Sequence, residues 1–104
     1  MRRYARETYK LRRMDMKAIV TVVGQDRKGI IAKVSNILFE NDINIVDISQ
    51  TIMQDMFTMI MMVEFDDNGI SVHDIEKKLT TAGKEMGLTI HVQRREIFTS
   101  MHRI

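Results

Sequence analysis

Residues 17–31 read KAIVTVVGQDRKGII. After Lys17, the next six are β-branched or apolar on both alternating faces, which predicts a strand over residues 17–23 covered on both sides. Beyond the turn, Ile30, Ile31, Val34, Ile37 and Leu38 recur at helical spacing and predict about three turns of helix with one apolar stripe. The turn between them, Gly24 to Ile30, admits two readings. As a plain connection, Gly24 ends the strand and Asp26 caps the helix. As a site, two glycines, one acid and two bases stand beside helix amides that can hold a small charged ligand.

Reading outward, Asn41-Asp42 breaks the helix, and residues 44–53 (NIVDISQTIM) form a second strand. Asp47, Ser49 and Gln50 interrupt its apolar residues, which places it at an edge with one side wet. Gln54-Asp55 turns the chain into residues 56–65 (MFTMIMMVEF), where Phe57, Met59, Met61, Val63 and Phe65 line one face and Thr58, Ile60, Met62 and Glu64 the other. Asp66-Asp67-Asn68-Gly69 is a loop signal. Ser71 with Asp74 three residues on has the form of a capping box. Val72, Ile75, Leu79, Ala82 and Met86 then space out a second helix that Gly87 ends. Leu88 to Gln93 alternates apolar and polar residues as a one-sided edge strand.

The order is β-α-β-β-α-β. Right-handed crossovers make it an α+β, ferredoxin-like fold: a four-stranded antiparallel sheet in the order 4-1-3-2 with two helices on one face. Strand compositions agree with that order, since the first and third strands are apolar on both sides. The other face would then leave Ile60 and Met62 bare, and a partner chain over that face or along the edge is the natural cover.

At 104 residues, with 44% hydrophobic and 29% charged residues, the chain reads as one globular domain. The formal charge of +2 conceals an uneven distribution, because residues 1–13 carry a net +5 and the remainder −3. A basic arm of this kind suits nucleic acid, an anionic membrane or a transit segment. The simpler expectation is a disordered extension over residues 1–15, ahead of a domain at 16–94 and a C-terminal tail at 95–104 that is helical and lies at a dimer interface. No cysteine is present, and no apolar run approaches a membrane span. The expected location is cytoplasmic, with neither nucleic acid nor membrane as partner.

Catalytic motifs are not found. His73, His91 and His102 have no helical i, i+4 partner, and nothing activates Ser35 as a nucleophile. Asp66-Asp67-Asn68 lacks the glutamate of a calcium loop. Acylphosphatase shares the strand order and binds an anion in its first turn, yet Asp26 would set negative charge where the phosphate must sit. A heavy-metal module needs paired cysteines, and an RNA-recognition module needs exposed aromatics on its central strands. The methionines of the central hairpin fill a core or interface, because their sulfurs do not converge on one point. No catalytic residue, metal or cofactor is expected.

Four segments carry a resemblance: residues 20–24, residues 26–31 (DRKGII), residues 43–48 (INIVDI), and the closing helix and strand. Over residues 16–94 the chain resembles the ACT domain, the small amino-acid-sensing module of metabolic regulators, in the stand-alone form similar to the glycine-cleavage regulators. The resemblance implies a homodimer paired through the second strands, with a small amino acid bound between the first turn of one copy and the second strand of the other. By position it implies a ligand site of Asp26, Arg27, Lys28, Gly29, Ile30, Asn44 and Ile45. Asp26 would hold the ligand ammonium or cap the helix, Gly29 and Ile30 would offer N–H groups, and Asn44 a side-chain amide. Many relatives have proline where Lys28 stands, so ligand selectivity does not carry across. A regulatory, non-enzymatic module acting on another protein is the expectation, with a purely structural dimerisation module as the alternative and a small phosphatase as a distant one. Gly29→Val is expected to abolish ligand binding with little loss of fold.

Overall fold

The computed structural model describes residues 16–66 and 69–101, with side chains through residue 99. The basic arm, part of the Asp66–Gly69 loop and the last three residues lie outside them. Strand β1 (Met16–Gln25) leads to helix α1 (Ile30–Glu40), strands β2 (Asn44–Met53) and β3 (Met56–Phe65), helix α2 (Val72–Met86), strand β4 (Leu88–Arg94) and a short helix α3 (Arg95–Met101). The sheet order is β2-β3-β1-β4 and every pairing is antiparallel, as the strand compositions imply. The ferredoxin-like reading therefore holds. β1 does not stop at Gly24, however, since Gly24 still pairs with Phe57 and Leu88, and Gln25 with Met56.

The core lies between the sheet and the first two helices. Ala18, Val20 and Val22 of β1, and Phe57, Met59, Met61, Val63 and Phe65 of β3, point into it. They meet Ile30, Val34 and Leu38 of α1 and Ile75 and Leu79 of α2. Ser71 caps α2 by accepting the Asp74 N–H at 3.0 Å, and Gly87 closes the helix. Asn41 closes α1: its side-chain amide donates to the Ile37 carbonyl at 2.7 Å.

Two features depart from the sequence reading. In β2 the pairing with β3 slips between Ile45 and Asp47, leaving Val46 as an extra residue. That bulge puts Ile45, Ile48 and Ile52 opposite Val63, Met61 and Phe57, on the helix side of the sheet. The second departure is the cover that α3 gives by packing against β1 and β4. Its Phe98 shares a cleft with Thr21 and Ile60 of the opposite face. That face is thus partly covered within the chain. Ile19, outside the main core, is only 6% exposed, whereas Ile60 stays 40% exposed.

Candidate functional site

The turn after β1 is held from two sides. On the hairpin side, the Asp26 N–H donates to the Asp55 carbonyl at 2.8 Å, and the Gln25 amide makes a long 3.5 Å contact with the Asp55 carboxylate. On the other side, the Arg27 guanidinium donates to the Met86 carbonyl at 3.3 Å. That carbonyl is at the C-terminal, partly negative end of α2, where a cation is favoured. Gly24 explains why the chain fits here. A Cβ at this position would sit 2.6 Å from Leu88 Cδ2 and 2.9 Å from the Gly87 carbonyl oxygen.

Gly29 is the N-cap of α1, at φ +87°, and no side chain caps the helix. The reading of Asp26 as a cap is therefore corrected. Asp26 lies three residues upstream of the cap position, and its backbone is directed to Asp55 instead. The first helical bond runs from the Lys33 N–H to the Gly29 carbonyl at 2.9 Å. The N–H groups of Ile30, Ile31 and Ala32 consequently have no acceptor within the helix. Asp26 and Lys28 are exposed beside them, and neither side chain makes a hydrogen bond or ion pair among the described residues. Uncommitted donors, one acid and one base thus share a small patch, a pattern suited to a zwitterion. The positive φ also changes what Gly29→Val can do. A side chain there meets no atom within 4 Å, yet the left-handed backbone is strained for any L-residue, so fold stability falls with it.

Asn44 and Ile45 are not brought to this turn. Asn44 opens β2 at the other end of the sheet, where its amide donates to Glu64 Oε1 at 3.1 Å. Glu64 Oε2 in turn accepts from Lys17 at 2.9 Å. Lys17 and Gly24 are seven residues apart on one strand, a separation of about 24 Å. One chain therefore carries the two halves of the expected site at opposite ends.

The outer rim of β2 lies between those ends. Val46, Ile48, Ile52 and Met53 are all large apolar residues of this edge strand, with Met53 69% exposed. On α1, Ile31 and Phe39 are exposed as well, Phe39 at 77%. The sequence reading missed how far this edge is bare, along with the Asp55 and Met86 contacts that pin the turn. The edge had a sequence signal, because Ile45, Ile48 and Ile52 break the two-residue alternation of a flat strand. The contacts that Asp26 and Arg27 make with Asp55 and Met86 had none, since both end on backbone carbonyls. Among the described residues, no group of histidines and carboxylates could hold a metal, and no helix is long and apolar enough to cross a membrane.

Residues 17–93 match the family model for the ACT domain. A UPF0237 protein of Clostridium acetobutylicum is 51% identical over 89 residues, spanning 86% of this chain and all of the relative. Another, from Methanocaldococcus jannaschii, is 47% identical over 88 residues, spanning 85% of this chain and 98% of its own. Among solved structures, an ACT domain protein from Streptococcus pneumoniae superposes with a TM-score of 0.70 at 38% identity, covering 80% of this chain and 93% of that one.

Proposed function

The chain belongs to the ACT domain family, and on that premise we propose that it is a regulatory, non-enzymatic module. In this reading it pairs with a second copy along β2 and senses a small amino acid or related metabolite where the copies meet. The observation that carries the reading is the bare β2 edge, long, apolar and unprotected by charge over most of its length. Such an edge is a template for another strand.

A two-fold axis near the middle of β2, around Ile48 and Ser49, would lay the two strands antiparallel. Asn44 of the second copy then falls opposite Met53, beside the Gln54–Asp55 hairpin that holds Asp26. The halves that one chain keeps about 24 Å apart would meet in the pair, with Asn44 and Ile45 of the second copy facing the first copy's turn. There the Asp26 carboxylate takes the ligand ammonium, and the N–H groups of Gly29 and Ile30 donate to its carboxylate. Lys28 stands at the rim and tunes charge preference. Arg27 supports the turn through Met86. The pair acts in the cytoplasm, and ligand binding alters its contact with a further protein.

Two measurements on the full chain test this. Sedimentation should show a dimer, and a thermal-shift screen of the common amino acids at millimolar concentration should raise the melting temperature for one chemical class. A second reading, a dimerisation module without ligand, draws on the Asp26 and Arg27 contacts, which hold the turn through carbonyls of the chain itself. A dimer that no amino acid stabilises would select that second reading, and a monomer would sink both.

A further inference from the structure

On the sheet face away from α1 and α2, cross-strand pairing aligns Ile60 of β3, Thr21 of β1 and His91 of β4 in one row. With Gln93 and Phe98 they line a cleft of about 460 Å³ that Glu76 reaches from α2. Small-molecule sites commonly span roughly 300–1,000 Å³ and combine an apolar body with a few convergent polar groups. Glu76 is fixed in place: its Oε2 accepts the Val92 N–H at 3.1 Å and lies 3.9 Å from His91 Nδ1. Glu76 Oε1, His91 Nε2 and the Thr21 hydroxyl all belong to cleft-lining residues. None has a hydrogen-bond partner among the described residues.

We propose that this cleft is a second ligand site, for an amino-substituted heteroaromatic ring of about purine size. Ile60 supplies an apolar floor and Phe98 an aromatic wall, which favours a flat ring over a flexible chain. The uncommitted carboxylate oxygen favours a ligand that donates N–H. A ring nitrogen can pair with Thr21 or His91, since a hydroxyl both donates and accepts. The cleft shares no residue with the Gly24–Ile30 turn, so it stands or falls independently of the amino-acid reading.

The test is a titration of the full chain with 2-aminopurine, a fluorescent member of this class that loses emission when stacked. Saturable quenching with a dissociation constant near or below about 1 mM is expected. Phe98→Leu keeps the bulk but removes the aromatic face, and should weaken binding about tenfold. Glu76→Gln keeps an acceptor for the Val92 N–H but removes the charge, and should weaken it about fivefold. Circular dichroism establishes that each variant is folded. Absence of saturation up to about 10 mM, or a folded Phe98→Leu variant that titrates like the parent chain, overturns the proposal.

Discussion

Strands β4 and β2 are the two edges of one sheet, and the chain treats them differently. β4 is the shorter, at seven residues, and its apolar side chains Leu88, Ile90 and Val92 are all buried. Its outward Val92 N–H is already taken by Glu76, reaching over from α2. β2 has ten residues, and all of them except Ile45 are exposed. Its bulge turns three isoleucines to the helix side of the sheet, and the first helix exposes Ile31 and Phe39 as well. Both strands look like edges in sequence. What separates them is the neighbour: a carboxylate closes one edge, while apolar residues continue the surface of the other. A free edge of that second kind is a template for another strand, and the two halves of the proposed ligand site lie at its two ends.

The sharpest way to break the comparison is a charge on the open edge. Ile48→Lys places an ammonium on each copy near the pairing axis, and should weaken self-association by at least about 100-fold, or about 3 kcal/mol. Sedimentation equilibrium measures this, and a variant that stays dimeric would remove β2 from the interface. Next in size is Gly24→Ala, whose methyl must displace Leu88 or the Gly87 carbonyl where β1 meets the start of β4. A loss of about 1–3 kcal/mol is expected, read as a fall in denaturation midpoint with the dimer retained.

Glu76→Leu opens the closed edge by leaving the Val92 N–H without its acceptor. Stability should fall by about 1 kcal/mol, and the test is whether Val92 amide hydrogen exchange quickens more than that of Val20. Equal protection would mean that Glu76 does not guard the edge. The smallest effect belongs to Thr89→Lys, an exposed position on β4. Self-association should change by less than about 0.5 kcal/mol, and a dissociated variant would show that β4, not β2, carries the interface.

Much of the fold could be read residue by residue. Dense β-branched runs marked β1 and β3 as central, Ser71 and Gly87 bounded α2, and the ββ hairpin between two crossovers left one sheet order standing. The site was legible only in part. A two-glycine turn before an amphipathic helix was visible, but the identity of the N-cap was not, because Gly29 takes that place through its backbone angle rather than through a side chain. The bulge at Val46 was legible in principle from the spacing of three isoleucines. The role of α3 was not, since seven residues carry no periodicity strong enough to show which face they cover.

By itself, the sequence determined which segments are strands and helices, which residues enter the core, and where the charged turn falls. These follow from local spacing and from chemistry close along the chain. Only the tertiary structure decided that Asp26 answers to Asp55, Arg27 to Met86, and Asn44 to Glu64 at the far end of the sheet. Those pairs lie 20 or more residues apart, and each depends on how strands stack side by side. The unequal edges belong to the same class of fact. Strand composition alone could mark both as edges, but whether an edge is closed depends on which side chain from another element can reach its outward N–H groups.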